Sequence, residues 1–91
     1  MEKSVHIIVK GKVQGVFFRD FTQEKATSLG IKGTVRNRRD GSVEIYARGL
    51  QELIKEFEQW CWEGSPYSRV VQVVSRELDV HEDYPNFRVI Y

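Results

Sequence analysis

Residues 31–48, IKGTVRNRRDGSVEIYAR, contain the pattern on which the fold prediction rests. Two runs of strand-forming residues, 31–37 and 42–48, flank a turn centred on residues 39–41. An Asp-Gly pair between two such runs is a strong hairpin signal, because glycine tolerates the positive φ that tight turns require. The segment therefore predicts two neighbouring antiparallel strands.

Amphipathic helices are predicted on both sides of this hairpin. Before it, the apolar positions of residues 18–29 fall within one broad helical stripe, inside which Lys25 must extend its ammonium group to solvent. The stripe comprises Phe18, Phe21, Ala26 and Leu29. Gly30 ends this helix, since glycine readily adopts the left-handed C-terminal conformation. After the hairpin, apolar residues recur with helical spacing from Leu50 to Cys61, which predicts a second helix ending near Gly64.

Three further runs complete the predicted order of elements. Residues 5–10 alternate with Val5, Ile7 and Val9 on one buried face, which is typical of a strand. Residues 70–74 show a similar alternation, with Val71 and Val73 on one side, and FRVIY at 87–91 forms a short closing strand. The order favours an α+β, ferredoxin-like βαββαβ sandwich with two helices on one face of an antiparallel sheet and a short extra C-terminal strand. In this fold the third strand lies between the first two, so the end of strand one and the far end of strand two share one edge.

The overall composition limits the class of protein. The chain of 91 residues, 41% hydrophobic and 30% charged with a net charge of +1, is predicted to form one domain, 1–91, without the basic surface that nucleic acid requires. It contains no apolar run approaching a membrane span and no secretory signal, so we expect a cytoplasmic monomer without membrane contact. The single cysteine, Cys61, excludes an intrachain disulfide and is expected to be a buried structural thiol.

The connection between the first strand and the first helix reads GKVQGVFFR, residues 11–19. Loop N–H groups at a helix start are unpaired and the helix dipole adds positive charge, so such a loop, shaped here by Gly11 and Gly15, attracts anions. Arg19 is a cation in the first helical turn, where it opposes the dipole. It either reaches solvent or a surface carboxylate, or surrounds a bound oxyanion together with the amides of residues 14–18. These amides belong to Gln14, Gly15, Val16, Phe17 and Phe18.

Asn37 ends the second strand at the same predicted edge of the sheet. Its carboxamide can satisfy the local backbone of the turn, or it can hold a water molecule by donating and accepting hydrogen bonds. Both interpretations stay open at this point. His6 and His81 have no partner at metal-ligand spacing, so no metal site is predicted.

Two motifs together resemble a known enzyme family. GKVQGVFFR is similar to the acylphosphatase signature G-x-V-Q-G-V-x-F-R at every specified position, and GTVRNRRDGSVEIYARG at 33–49 resembles the second motif of that family. GSP at 64–66 and the closing FRVIY are also similar, so the resemblance covers nearly the whole chain. It implies hydrolysis of small acyl phosphates to a carboxylate and inorganic phosphate, with Arg19 binding the phosphate and Asn37 positioning the attacking water.

The implied reaction needs few catalytic groups. A carboxylate with a pKa near ~4 departs without protonation, and amides with one guanidinium can stabilise the phosphoryl charge, so neither a metal nor a cofactor is expected. A non-catalytic anion-binding module on the same fold is the alternative. Single-stranded RNA binding is disfavoured, because SVEIYARG offers only Tyr46 as an aromatic on the third strand.

Overall fold

A computed structural model, which describes residues 1–91, contains two helices and one five-stranded sheet. The elements are β1 (Glu2–Lys12), α1 (Phe18–Ser28), β2 (Lys32–Asn37), β3 (Val43–Leu50), α2 (Gln51–Glu63), β4 (Arg69–Glu77) and β5 (Phe87–Val89). The strands lie in the order β4-β1-β3-β2-β5. The predicted ferredoxin-like arrangement is therefore confirmed.

The register of the central strands brings two distant parts of the sequence to one edge of the sheet. β3 pairs antiparallel with both β1 and β2. Val43, the first residue of β3, is the pairing partner of Val9 in β1 and of Asn37 in β2. Because adjacent strands are about 4.8 Å apart, the exit of β1 and the end of β2 are separated only by the width of β3. This confirms the predicted meeting of the two segments.

β5 adds a parallel pairing to an otherwise antiparallel sheet. Gly33 pairs with Phe87 and Val35 pairs with Val89, so β5 runs in the same direction as β2. The sheet is therefore mixed. The sequence predicted a short closing strand but did not indicate which strand it pairs with. A three-residue strand carries too little periodicity to indicate its direction.

Both helices pack against the sheet, but the buried face of α1 differs from the predicted stripe. α1 contacts β2 and β5, and α2 contacts β4 and β3. Phe21 was expected to be buried and is 37% exposed, whereas Thr22 is fully buried. Thr22 Oγ1 donates a hydrogen bond to the Phe18 carbonyl oxygen at 2.7 Å, which satisfies the hydroxyl inside the core. Leu50 ends β3 and is exposed instead of starting the apolar face of α2.

The predicted alternation in the fourth strand is wrong at Val71. A shift in the pairing of β1 with β4 leaves Val71 without a partner, and its side chain is 69% exposed. Val70 and Val73, which are three residues apart, both pack against the core. A β-bulge of this kind places two residues of one strand opposite one residue of its neighbour, so the period of two is interrupted.

Gly11 was predicted to shape the loop, but it lies within β1 opposite this bulge. Its φ is 130°, and a Cβ atom at this position would clash with the carbonyl oxygen of Arg69. Glycine is required here because the backbone of β4 approaches so closely. The loop that enters α1 therefore begins after Lys12 and contains only one glycine, Gly15.

Neither helix is both long enough and apolar enough to cross a membrane.

Candidate active site

The loop between β1 and α1 is anchored to the core by apolar side chains, and part of its backbone lies at the surface. Val13, Val16 and Phe18 are buried, whereas Gly15 and Phe17 are exposed. Gly15 and Phe17 have φ angles of 73° and 62°, and Phe17 is the only non-glycine residue of the chain with a positive φ. A bulky residue in this conformation costs about 1–3 kcal/mol, and such strain is concentrated at functional sites.

The loop offers a continuous set of unpaired hydrogen-bond donors. None of the backbone N–H groups of residues 14–18 donates a hydrogen bond within the protein. α1 begins at Phe18, and no side chain caps its N-terminus. The partial positive charge of the helix dipole adds to these N–H dipoles, so the loop can surround an anion. We call the backbone of residues 14–18 the phosphate cradle, after the anion that the family resemblance implies for it.

A serine from a distant loop fixes the phosphate cradle in place. Ser65, between α2 and β4, is buried, and its Oγ donates a hydrogen bond to the carbonyl oxygen of Val16 at 2.8 Å. Sequence reasoning did not single out Ser65. The signal was present, because GSP at 64–66 formed part of the family resemblance, but its partner was not evident from the sequence.

Arg19 stands beside the phosphate cradle without an acidic partner. It is the second residue of α1, is half-buried and forms no ion pair. Its guanidinium lies over the ring of Tyr91, with Cζ 4.9 Å from the ring centroid. This cation–π contact holds the guanidinium against the ring and leaves its positive charge without an acidic partner. The surface ion pair considered from the sequence is not formed.

Gln14 connects the loop to the hairpin that carries Asn37. Its Nε2 donates hydrogen bonds to the carbonyl oxygens of Arg38 at 2.7 Å and Ser42 at 2.9 Å. The sequence predicted only a role for the Gln14 backbone, so this role of the side chain was missed. The acceptors are backbone carbonyls of residues far away in the sequence, and no local pattern identifies them.

Asn37 does not perform the turn-forming role that was one of its two interpretations. Its side chain makes no hydrogen bond to the turn, and its Oδ1 is buried without any partner. Asp40 performs that role instead, because its Oδ1 accepts a hydrogen bond from the Ser42 N–H at 3.0 Å. Hydrogen bonds from Ser42, followed by the charges of Arg38 and Lys10, lower the pKa of Asp40 below its usual value. The Asn37 Oδ1 thus lies without a hydrogen-bond partner, shielded from solvent, at the edge of the sheet that also carries the phosphate cradle.

Residues 5–89 match the family model described as Acylphosphatase. The chain belongs to the acylphosphatase family. Members of this family hydrolyse acyl phosphates, so the chain is a hydrolase of acid anhydrides with small-molecule acyl phosphates as substrates.

Individual acylphosphatases are similar to this chain over nearly their full length. The acylphosphatase of Shewanella amazonensis is 47% identical over 87 residues, which is 96% of both chains. The solved structure of the acylphosphatase from Coxiella burnetii has a TM-score of 0.94 at 44% identity, covering 98% of this chain and 93% of that one. The acylphosphatase of Bacillus subtilis has a TM-score of 0.95 at 38% identity, with 100% of both chains covered.

The other reactive side chains make structural contacts. His6 Nε2 donates to Glu44 Oε2 at 2.8 Å, and His81 Nδ1 is hydrogen-bonded to Ser4 Oγ at 2.6 Å. Cys61 is fully buried, as expected of a structural thiol, and burial raises its pKa. No group of three or more His, Cys, Asp or Glu side chains is arranged to hold a metal ion.

Proposed function

We propose that the phosphate cradle and Arg19 bind the phosphoryl group of an acyl phosphate, and that Asn37 holds the water that attacks phosphorus in line with the leaving carboxylate. No metal ion takes part in the proposed reaction. The observation that carries this proposal is a run of five backbone N–H groups without a partner in the protein, followed directly by an arginine that has no acidic partner.

Binding of the phosphoryl group follows from the donors at the cradle. The N–H groups of residues 14–18 donate to its oxygens, and the planar guanidinium of Arg19 donates to two of them at once. The charge of Arg19 is unfavourable at the start of α1, because the helix N-terminus is also positive. An anion bound between the guanidinium and the helix N-terminus is attracted by both. The same donors stabilise the charge that develops on the equatorial oxygens in the transition state.

Asn37 positions the attacking water through its side-chain oxygen. Oδ1 is a buried acceptor without a protein partner, which is a costly arrangement unless a donor is supplied. A water that donates one hydrogen to Oδ1 keeps a lone pair for phosphorus. As the new P–O bond forms, the bond to the acyl oxygen breaks and the carboxylate leaves with the electron pair. Asn37 cannot act as a base, so the proton of the water passes to a phosphoryl oxygen of the substrate.

The leaving group accounts for the absence of a general acid from this mechanism. A carboxylate has a pKa near ~4 and needs no proton in order to depart at neutral pH. A groove of about 630 Å³ lies elsewhere, between the outer face of the sheet and residues 78–84, and it includes none of residues 14–19. Because Gly15 and Phe17 are exposed, a phosphoryl group bound at the cradle leaves the acyl portion near the surface.

Phosphate release from benzoyl phosphate in the presence of EDTA tests the reaction. A parallel titration with inorganic phosphate, followed by ¹H–¹⁵N correlation spectra, tests the site. We expect undiminished release with EDTA and chemical-shift changes concentrated at residues 14–19. Shifts at these residues without release would indicate the anion-binding module, and activity that required added metal would exclude the metal-free mechanism.

The cellular setting of the enzyme also stays a proposal. We propose a cytoplasmic monomer with no nucleic-acid or membrane partner, because the net charge of +1 provides no basis for polyanion attraction. Size-exclusion chromatography with light scattering tests the oligomeric state.

A further inference from the structure

We propose that the side chain of Gln14 is a positioning residue, which sets the location of Asn37 relative to the phosphate cradle. This inference rests on the proposed function, since it assigns to Gln14 the control of the distance between the bound phosphoryl group and the attacking water. The backbone N–H of Gln14 belongs to the cradle, whereas its side chain points to the hairpin.

The carboxamide of Gln14 is the only hydrogen-bonded link between the two halves of the site. Its two bonds reach residues 24 and 28 positions away in the sequence. No other hydrogen bond joins residues 13–19 to residues 37–42. The separation of the cradle from Asn37 therefore depends locally on this one side chain.

The two acceptors are placed so that Gln14 constrains Asn37 through the backbone of the hairpin. Arg38 follows Asn37, and its N–H donates to the Ser42 carbonyl oxygen at 2.8 Å. The Ser42 carbonyl also accepts from Gln14, and so does the carbonyl of Arg38. Gln14 thus holds the residue that follows β2 and the residue that precedes β3. The Ser42 carbonyl that Gln14 binds also holds the N–H of the peptide group between Asn37 and Arg38, so Gln14 restrains the backbone from which the Asn37 side chain extends.

The chemistry of the contact favours a carboxamide at position 14. Both acceptors are carbonyl oxygens, and the NH₂ group supplies two hydrogens at a fixed angle. A hydroxyl group has one hydrogen and cannot serve both acceptors. A carboxylate has none and would repel both oxygens, so glutamate is the most informative isosteric replacement.

A double-mutant cycle tests whether Gln14 acts through Asn37. We expect Gln14→Ala to lower kcat for benzoyl phosphate by about 10- to 100-fold, which is the effect of an ångström-scale displacement, and to change the inhibition constant of inorganic phosphate by less than about threefold. In the Asn37→Ala background the same substitution is expected to change kcat by less than about twofold.

The pH profile of Gln14→Glu provides a second readout that a merely structural role would not produce. At neutral pH the carboxylate lacks both donors, so kcat is low. As the pH falls towards ~4 the carboxyl group becomes protonated and recovers one donor, so we expect kcat relative to the parent enzyme to rise. A ratio that is independent of pH contradicts the proposal.

Gln23→Ala is the matched control. Gln23 is also a partly buried glutamine, and its Nε2 donates to the carbonyl oxygen of Phe87 at 3.0 Å. Its loss is expected to reduce stability while kcat stays within about twofold of the parent value. Equal losses of kcat in the two variants would show that Gln14 contributes only general stability, and would overturn the inference.

Further outcomes separate this inference from the proposed function. If Gln14→Ala lowers kcat by the same factor with and without Asn37, or weakens phosphate binding in proportion to kcat, Gln14 does not act through Asn37. If the parent enzyme releases no phosphate, the proposed function fails. Hydrogen exchange of the Arg38 N–H and the side-chain amide signal of Asn37 then decide the inference, because both change in Gln14→Ala if Gln14 holds the hairpin.

Discussion

Ser65 donates its hydroxyl hydrogen to the carbonyl oxygen of Val16, 49 residues earlier in the chain, at a distance of 2.8 Å. In a trans peptide the N–H group points opposite to the carbonyl group, and the chain contains no cis peptide bond. The bond therefore turns the N–H of Phe17 away from Ser65 and towards the open side of the loop. One buried hydroxyl thus orients a donor of the phosphate cradle and supports the left-handed conformation of Phe17.

We predict that Ser65→Ala destabilises the protein by about 1–3 kcal/mol, because the buried Val16 carbonyl loses its partner. The inhibition constant of phosphate is expected to rise several-fold, since the Phe17 N–H is no longer held. Urea denaturation and inhibition kinetics measure the two effects. Ser28→Ala removes an exposed, local hydrogen bond to the Lys25 carbonyl and should have little effect on either quantity. Unchanged phosphate inhibition in a destabilised Ser65→Ala variant would restrict Ser65 to a structural role.

Replacement of Arg19 by lysine tests the bidentate contact. Lysine keeps the positive charge but lacks the planar pair of donors, so we predict a fall in kcat of about 10²- to 10³-fold and weaker phosphate binding. The measurements are steady-state kinetics with benzoyl phosphate and competitive inhibition by phosphate. Arg76→Lys, on β4, serves as the control and should behave as the parent enzyme. Wild-type kinetics in Arg19→Lys would remove Arg19 from the mechanism.

Asn37→Ala separates water positioning from phosphate binding. We predict a loss of kcat of about 100-fold or more, with the inhibition constant of phosphate within about threefold of the parent value. Asn86→Ala is a suitable control, because Asn86 is exposed and only its backbone carbonyl contacts the sheet, at Gly33. If phosphate affinity falls together with kcat, Asn37 contributes to binding of the phosphoryl group and does not act by positioning the water.

The outer face of the sheet carries a carboxylate that affects stability in acid. Burial raises the pKa of Glu44, but hydrogen bonds from His6 and Arg36 outweigh burial and lower the pKa below 4.5. The unfolded state therefore takes up a proton at higher pH than the folded state. The stability contributed by Glu44 is complete above about pH 4.5 and is lost as the pH falls through the lower pKa of the folded protein.

We predict that Glu44→Gln flattens the dependence of the free energy of unfolding on pH between about 5 and 3, because the variant has no proton to gain at this site. Urea denaturation at several pH values gives the slope. Glu63→Gln, at the end of α2, changes an exposed carboxylate without a partner and should leave the slope unchanged. Equal slopes in the parent and Glu44→Gln would show that the lowered pKa is not a source of acid sensitivity.

Cys61 is predicted to be unreactive in the folded enzyme. Its side chain is fully buried, and burial raises the thiol pKa, so the thiolate is scarce at neutral pH. Ellman's reagent should modify Cys61 only after denaturation, and Cys61→Ala should lower stability by about 1–2 kcal/mol without changing kcat. Rapid modification under native conditions, or loss of activity in Cys61→Ala, would contradict the structural role.

Local patterns in the sequence were sufficient to identify the elements and the candidate site. The hairpin turn, the two helices and the first four strands follow from periodicity and turn residues, which depend on neighbours within a few positions. The placement of Asn37 near the cradle was also predicted. In the predicted fold the first two strands run parallel, so both end at the same edge of the sheet. Arg19 stood out because its charge opposes the helix dipole.

Tertiary structure alone decided the contacts that complete the site. The acceptors of Gln14, the partner of Ser65 and the ring beside Arg19 all come from distant segments, so no local spacing indicates them. The bulge at Val71 and the burial of Thr22 likewise depend on how neighbouring elements pack. Periodicity reports the conformation of a segment, whereas hydrogen-bond partners depend on which segments the folded chain brings together. In this enzyme the fold brings the loop that contains Gln14 against the hairpin that carries Asn37.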